Sequence, residues 1–124
     1  MKIPEKLNMI LIISTTERDK IELGLADKTT DFFEYATKNQ SQDILIKIDE
    51  LLKSKKLSLK DVAAIVVNQG PGSFTGVRVG ITVANTLAWS LDIPVVGYAD
   101  GKLEDAISNI ADQKFSKIVL PFYK

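Results

Sequence analysis

Residues 68–80 read NQGPGSFTGVRVG, and no other stretch constrains the fold as tightly. Four of the seven glycines fall in it, at Gly70, Gly72, Gly76 and Gly80. A run of apolar β-formers, AAIVV, leads into the block and a long helical pattern leads out. A glycine costs about 1 kcal/mol relative to alanine inside a helix. It is kept where backbone must come close to something. A phosphate, another helix and another protein are the three candidates.

The rest of the chain alternates strands and helices around this block. MILII (9–13) is a continuous apolar run, as in a strand buried on both faces. A polar turn, STTERDK, separates it from IELGLAD (21–27), whose alternation predicts a hairpin partner with one solvated face. TDFFEYAT (30–37) reads as a third, edge-like strand. From residue 41 the period becomes helical, with Ile44, Ile48, Leu51 and Leu52 on one stripe, Leu45 on its flank, and Ser41 or Asn39 as the cap. DVAAIVV (61–67) predicts a buried strand, residues 74–90 a helix, and IPVVGY (93–98) a short strand. KLEDAISNIAD (102–112) predicts a helix with Leu103, Ile107 and Ile110 on one face, and SKIVLPFY (116–123) a last strand. The order β-β-β-α-β-α-β-α-β implies an α/β fold with a mixed sheet of five to six strands and helices on both faces. No repeat or linker interrupts residues 1–124, so a single domain is expected.

Composition excludes much chemistry. The chain has no cysteine and no histidine, which removes thiolate nucleophiles, imidazole bases, disulfides and the usual zinc sites. Lysine plus arginine equals aspartate plus glutamate at 16 each, so the chain lacks the basic excess of a protein that grips nucleic acid alone. No apolar run is long enough to span a membrane, and MILII is too short for a secretory signal, so a cytoplasmic location is expected.

The glycine block fits phosphate binding poorly. A Walker A loop places Lys and then Ser or Thr after its last glycine, whereas Val77 and Arg78 follow Gly76. The spacing also departs from the dinucleotide fingerprint, with only Asp100 as a late ribose partner. Gly72, Gly76, Gly80, Ala84 and Ala88 recur every four residues, a small-residue stripe along which another backbone can approach. That backbone is either a partner's helix or the chain's own sheet. Beside the stripe run Arg78, Thr82, Asn85 and the lone Trp89, a mixture suited to a protein interface. Ser73 has no histidine to activate it and reads as a helix cap next to Phe74. Asp49–Glu50 and Glu104–Asp105 read as solvated helix faces, and Lys53, Lys55 and Lys56 as cations offsetting a helix C-terminus.

GPGSFTGVRVGITVANTLAWSLDIPVVG resembles the signature of the TsaB (YeaZ) family, a bacterial subunit of the machinery that makes threonylcarbamoyladenosine in tRNA. QSQDILIKIDELLKSKKLSLKDVAAIVVNQ is similar to the family's upstream helix and strand, and MILIISTTERDKIELGLAD to its first hairpin. Three departures stand out. Ser14, Thr15 and Thr16 replace the family's usual Asp-Thr opening, Gln40 stands where a histidine is common, and the second lobe usual in the family does not follow within these 124 residues.

The resemblance implies a single RNase H-like, actin-like lobe with no cofactor and no catalytic or metal-binding residue of its own. It implies a non-catalytic partner of the TsaD-type subunit, which transfers threonylcarbamoyl to adenosine 37 of tRNA. A TsaE-type ATPase would take part indirectly, tRNA would be met only through the complex, and a homodimer would form when the chain is alone. In the family the pairing uses a helix bundle. Here that places Ile44, Ile48, Gly72, Phe74, Gly76, Arg78, Gly80, Thr82, Ala84, Asn85 and Trp89 at the interface. A nucleotide-binding protein or enzyme using the Gly70–Gly80 turn is the alternative.

Overall fold

The computed structural model describes residues 9–27, 29–100 and 102–111. Among them run β1 (Met9–Ser14), β2 (Lys20–Ala26), β3 (Thr30–Ala36), α1 (Gln40–Ser54), β4 (Val62–Asn68), α2 (Phe74–Leu91), β5 (Val95–Tyr98) and α3 (Leu103–Ala111). A single 3-10 turn, Leu59–Asp61, precedes β4. It was not expected from the sequence and carries a reciprocal Ser58–Asp61 capping box. The predicted strand at 116–123 lies outside the described residues.

The five strands form one sheet in the order β3-β2-β1-β4-β5. β2 pairs antiparallel with β1 and β3, while β4 runs parallel to β1 and to β5. The expected mixed sheet is therefore present. β1 is central and buried because it has a strand on each side and helices on both faces. Its alternation divides the core: Leu11 and Ile13 face α1 and α2, whereas Ile10 and Ile12 lie in the cluster that includes Ala106 of α3. β3 is the edge, with mostly exposed or half-buried residues.

The solvated face expected for β2 is smaller than its alternation suggested. Lys20 and Glu22 are half-buried, but Gly24 and Ala26 are buried. A Cβ on Gly24 would lie 3.0 Å from Cε1 of Phe32 and 3.1 Å from Ile12, so the Phe32 ring lies across the strand at that point.

Both long helices start where a short polar side chain can cap them. Asn39 accepts from the amide of Gln42 at the head of α1. Ser73 accepts from the amide of Gly76 at 3.2 Å at the head of α2, as expected. α2 ends at Asp92, whose left-handed backbone (φ 55°) returns its amide to the carbonyls of Ala88 and Trp89.

Candidate functional site: the glycine turn and the outer face of two helices

The glycine turn follows β4 and opens α2. Thr15, one residue past β1, reaches into the first turns of that helix. Its hydroxyl donates to the carbonyl of Gly76 at 2.5 Å and accepts from the amide of Gly80 at 3.0 Å. These are the two groups that an α-helix pairs four residues apart, so the hydroxyl engages both ends of one helical hydrogen bond. A Cβ on Gly80 would stand 2.5 Å from Thr15 Oγ1. One on Gly76 would collide with the carbonyl oxygen of Thr15 and stand 3.0 Å from Oε1 of Gln40. One on Gly72 would stand 2.6 Å from the carbonyl oxygen of Thr16, which also accepts from the amide of Ser73 at 2.7 Å.

The group that comes close to the glycines is thus the chain's own β1–β2 turn. This corrects the expected placement of the small stripe at a partner interface. Gly76, Gly80 and Ala84 are buried against the chain's own interior, and Gly72 is covered by Thr16 on its Cβ side. Ile44 and Ile48, expected at the same interface, are 0% and 1% exposed in the core under α1.

The remaining expected residues lie on the outer side of α2. Phe74 is 58% and Trp89 86% exposed; Arg78 and Thr82 are exposed, and Asn85 is half-buried. At 100° per residue these five fall within a narrow arc of the helix, spread over about 22 Å. The Arg78 guanidinium carbon lies 4.7 Å from the centre of the Phe74 ring, a cation–π pair at one end of the arc. Beside it an open groove of about 450 Å³ is lined by Ser41 of α1 and by Phe74, Thr75, Arg78, Val79, Thr82 and Val83 of α2. Leu45 on α1 is 54% exposed.

A polar row crosses the sheet at the C-terminal end of the parallel strands. In register, and on the face that α3 shares, stand Glu34, Glu22, Ser14, Asn68 and Tyr98. Asn68 donates to Ser14 Oγ at 3.1 Å and accepts from the amide of Gly70 at 2.9 Å, anchoring the glycine turn to β1. Burial pushes the Tyr98 phenol up to about 12, helped by the charge of Glu22 and opposed by hydrogen bonds to Ser14 and Asn68. Burial also raises the Glu22 carboxyl, with Lys20 opposing and Glu34 adding to the shift. Lys20 is held protonated by its hydrogen bonds to Glu17 (2.5 Å) and Glu34 (3.0 Å).

No group of three or more metal-ligating side chains occurs among the described residues. Ser73 serves as a cap, and Asp49 and Glu50 pair with Lys53 and Lys47 on an exposed face. Among the described residues no helix is long and apolar enough to cross a membrane. Thr15 and Gln40, which organise the turn, were not picked out from the sequence as structural residues. Their partners are 61 and 25 positions away, respectively, and no local pattern marks such contacts.

The family model for TsaD, tRNA N6-adenosine threonylcarbamoyltransferase, matches residues 34–100, more than half of the chain. The TsaB protein of Bacillus subtilis, named as a tRNA threonylcarbamoyladenosine biosynthesis protein, is 36% identical over 93% of this chain and 50% of its own length. YeaZ from Pseudomonas aeruginosa superposes with a TM-score of 0.68 at 29% identity, over 74% of this chain and 45% of that one. RuvC of Thermus thermophilus, at 13% identity and a TM-score of 0.51 over 81% of this chain and 69% of that one, shows the RNase H-like fold alone. The chain spans about half the length of the TsaB and YeaZ proteins it matches. By family model, sequence and fold together, the chain belongs to the TsaD family, on its TsaB (YeaZ) branch.

Proposed function

We propose that the chain works as a non-catalytic partner in the formation of threonylcarbamoyladenosine in tRNA, binding and activating a TsaD-type transferase subunit. The observation that carries this reading is the outer face of α2, where Trp89 is 86% and Phe74 58% exposed on the same arc as Arg78, Thr82 and Asn85. Large aromatics and arginine displayed together are the composition of interface anchors rather than of a solvated helix. The adjoining groove along α2, bounded by Ser41 at the head of α1, gives a partner's helix a place to lie. The partner surface on this chain is thus Phe74, Arg78, Thr82, Asn85 and Trp89. Ile44, Ile48 and the glycine stripe support it from beneath.

With zero formal net charge, the chain meets tRNA through the complex, and a TsaE-type ATPase acts through the same assembly. In the absence of the transferase subunit, the same face pairs two copies of the chain. The alternative, a nucleotide site in the glycine turn, finds no support in the packing, because Thr15 and Thr16 already occupy the space the glycines leave.

The test is titration calorimetry of the chain against a TsaD-type subunit, paired with an assay of threonylcarbamoyl transfer to tRNA. Binding, and transfer that depends on adding this chain, are expected. Tight binding of ATP with turnover by the chain alone, and none of the transferase subunit, would replace this reading with the nucleotide one.

A further inference from the structure

Gln40 is the first residue of α1 and is only 8% exposed. Its side-chain amide nitrogen donates to three backbone carbonyls of the β1–β2 turn: Glu17 at 2.7 Å, Lys20 at 2.9 Å and Thr15 at 3.3 Å. A carboxamide has two N–H groups, so the three acceptors share them and the turn is gathered around one point. The oxygen of the same amide faces α2, 3.0 Å from where a Cβ of Gly76 would stand. The turn in turn holds α2 through the Thr15 hydroxyl and the Thr16 carbonyl. One buried side chain therefore ties the head of α1, the β1–β2 turn and the head of α2 into a single joint.

We propose that Gln40 is a positioning residue that sets the angle between α1 and α2, and with it the shape of the partner-facing groove, whose wall begins at the adjacent Ser41. This inference rests on the proposed function for the identity of the partner but not for the geometry. Gln40 touches no partner itself. It acts by fixing the head of α1, whose Ser41 closes the groove, against the head of α2, whose side chains form the rest of its lining.

The chain contains no cysteine, so spin labels on Ser54→Cys and Ser90→Cys report the separation of the far ends of α1 and α2 without background. Gln40→Met keeps the side-chain length and removes both N–H donors. We expect it to displace and broaden the label distance distribution and to weaken binding of a TsaD-type subunit by about tenfold. Val66→Ala, in the cluster on the opposite face of the sheet, is the control for lost stability. It should lower the melting temperature while leaving both readouts in place. If Gln40→Met does not fold, Gln40→Asn replaces it, keeping the amide but one methylene too short to reach all three carbonyls. An unchanged distance distribution in the Gln40 variant overturns the inference. So does a changed distribution with affinity within about twofold of wild type, or an equal effect from Val66→Ala. Failure of the wild-type chain to bind would sink the proposed function instead, and the label distances would still decide the role of Gln40.

Discussion

Replacing Gly80 by alanine sets two effects of opposite sign against each other. Helix propensity favours the change by about 1 kcal/mol, because Gly80 lies inside α2. Packing opposes it, since the new Cβ would stand 2.5 Å from Thr15 Oγ1. Relieving that overlap means moving a buried hydroxyl that bridges Gly76 and Gly80, at a cost of about 1–3 kcal/mol for overpacking and a similar amount for the hydrogen bonds it breaks. Gly80→Ala in the wild-type chain should therefore destabilise by roughly 1–5 kcal/mol. Thr15→Ala alone should cost about 1–3 kcal/mol through lost hydrogen bonds. With that oxygen gone, however, the nearest neighbours of a Cβ at Gly80 are Ile13 Cγ2 at 3.4 Å and the Cβ of residue 15 at 3.6 Å. In the Thr15→Ala background, Gly80→Ala should stabilise by up to about 1 kcal/mol. The two substitutions should then couple by about 1–6 kcal/mol, read from urea unfolding of the four proteins by circular dichroism. Additivity within about 0.5 kcal/mol would show that the hydroxyl does not dictate the glycine, and the account of the turn would fall.

Trp89→Ala should leave the melting temperature nearly unchanged, because the side chain is 86% exposed, while weakening the TsaD-type partner by about 30-fold or more in calorimetry; a folded variant with wild-type affinity moves the interface elsewhere. Glu22 has its folded pKa raised mainly by burial, so the folded state holds its proton longer than the unfolded state. Its charge therefore costs stability as pH rises through the folded pKa and costs nothing below the unfolded one. Glu22→Gln should melt above wild type at pH 7, with the gap closing as pH falls through the carboxylate range, and a gap that widens on acidification would contradict this. Tyr98→Phe should remove a phenol ionisation near pH 12 from the absorbance titration at 295 nm, since Tyr98 is pushed up to about 12 by burial. Stability should fall as pH rises from about 10 towards that value.

The local pattern of the chain was enough for the element order. The unbroken apolar run at 9–13 and the four-residue recurrence of Ile44, Ile48 and Leu52 are set by what a strand between layers, or one face of a helix, must bury. The cap at Ser73 was legible for a similar reason, because its partner is three residues away. The 3-10 turn at Leu59–Asp61 was not, although its Ser58–Asp61 box is just as local, because the expected strand overlapped it. The solvated face of β2 was overestimated because an aromatic ring from the adjacent strand lies across Gly24.

Sequence alone determined that the Gly70–Gly80 block would turn into a helix and that its small residues would line one side, since both depend on backbone freedom and helical period. Only the tertiary structure decided what that side meets. Sheet pairing puts the end of β1 next to β4, and this places the hydroxyl of Thr15 and the amide of Gln40 against glycines 36 to 65 positions away. A period says which residues share a face. It cannot say whether that face looks inward, because that depends on which strand, distant in sequence, lies beneath the helix. With the glycines turned to the chain's own β1–β2 turn, the aromatic and arginine arc lies on the exposed side of α2.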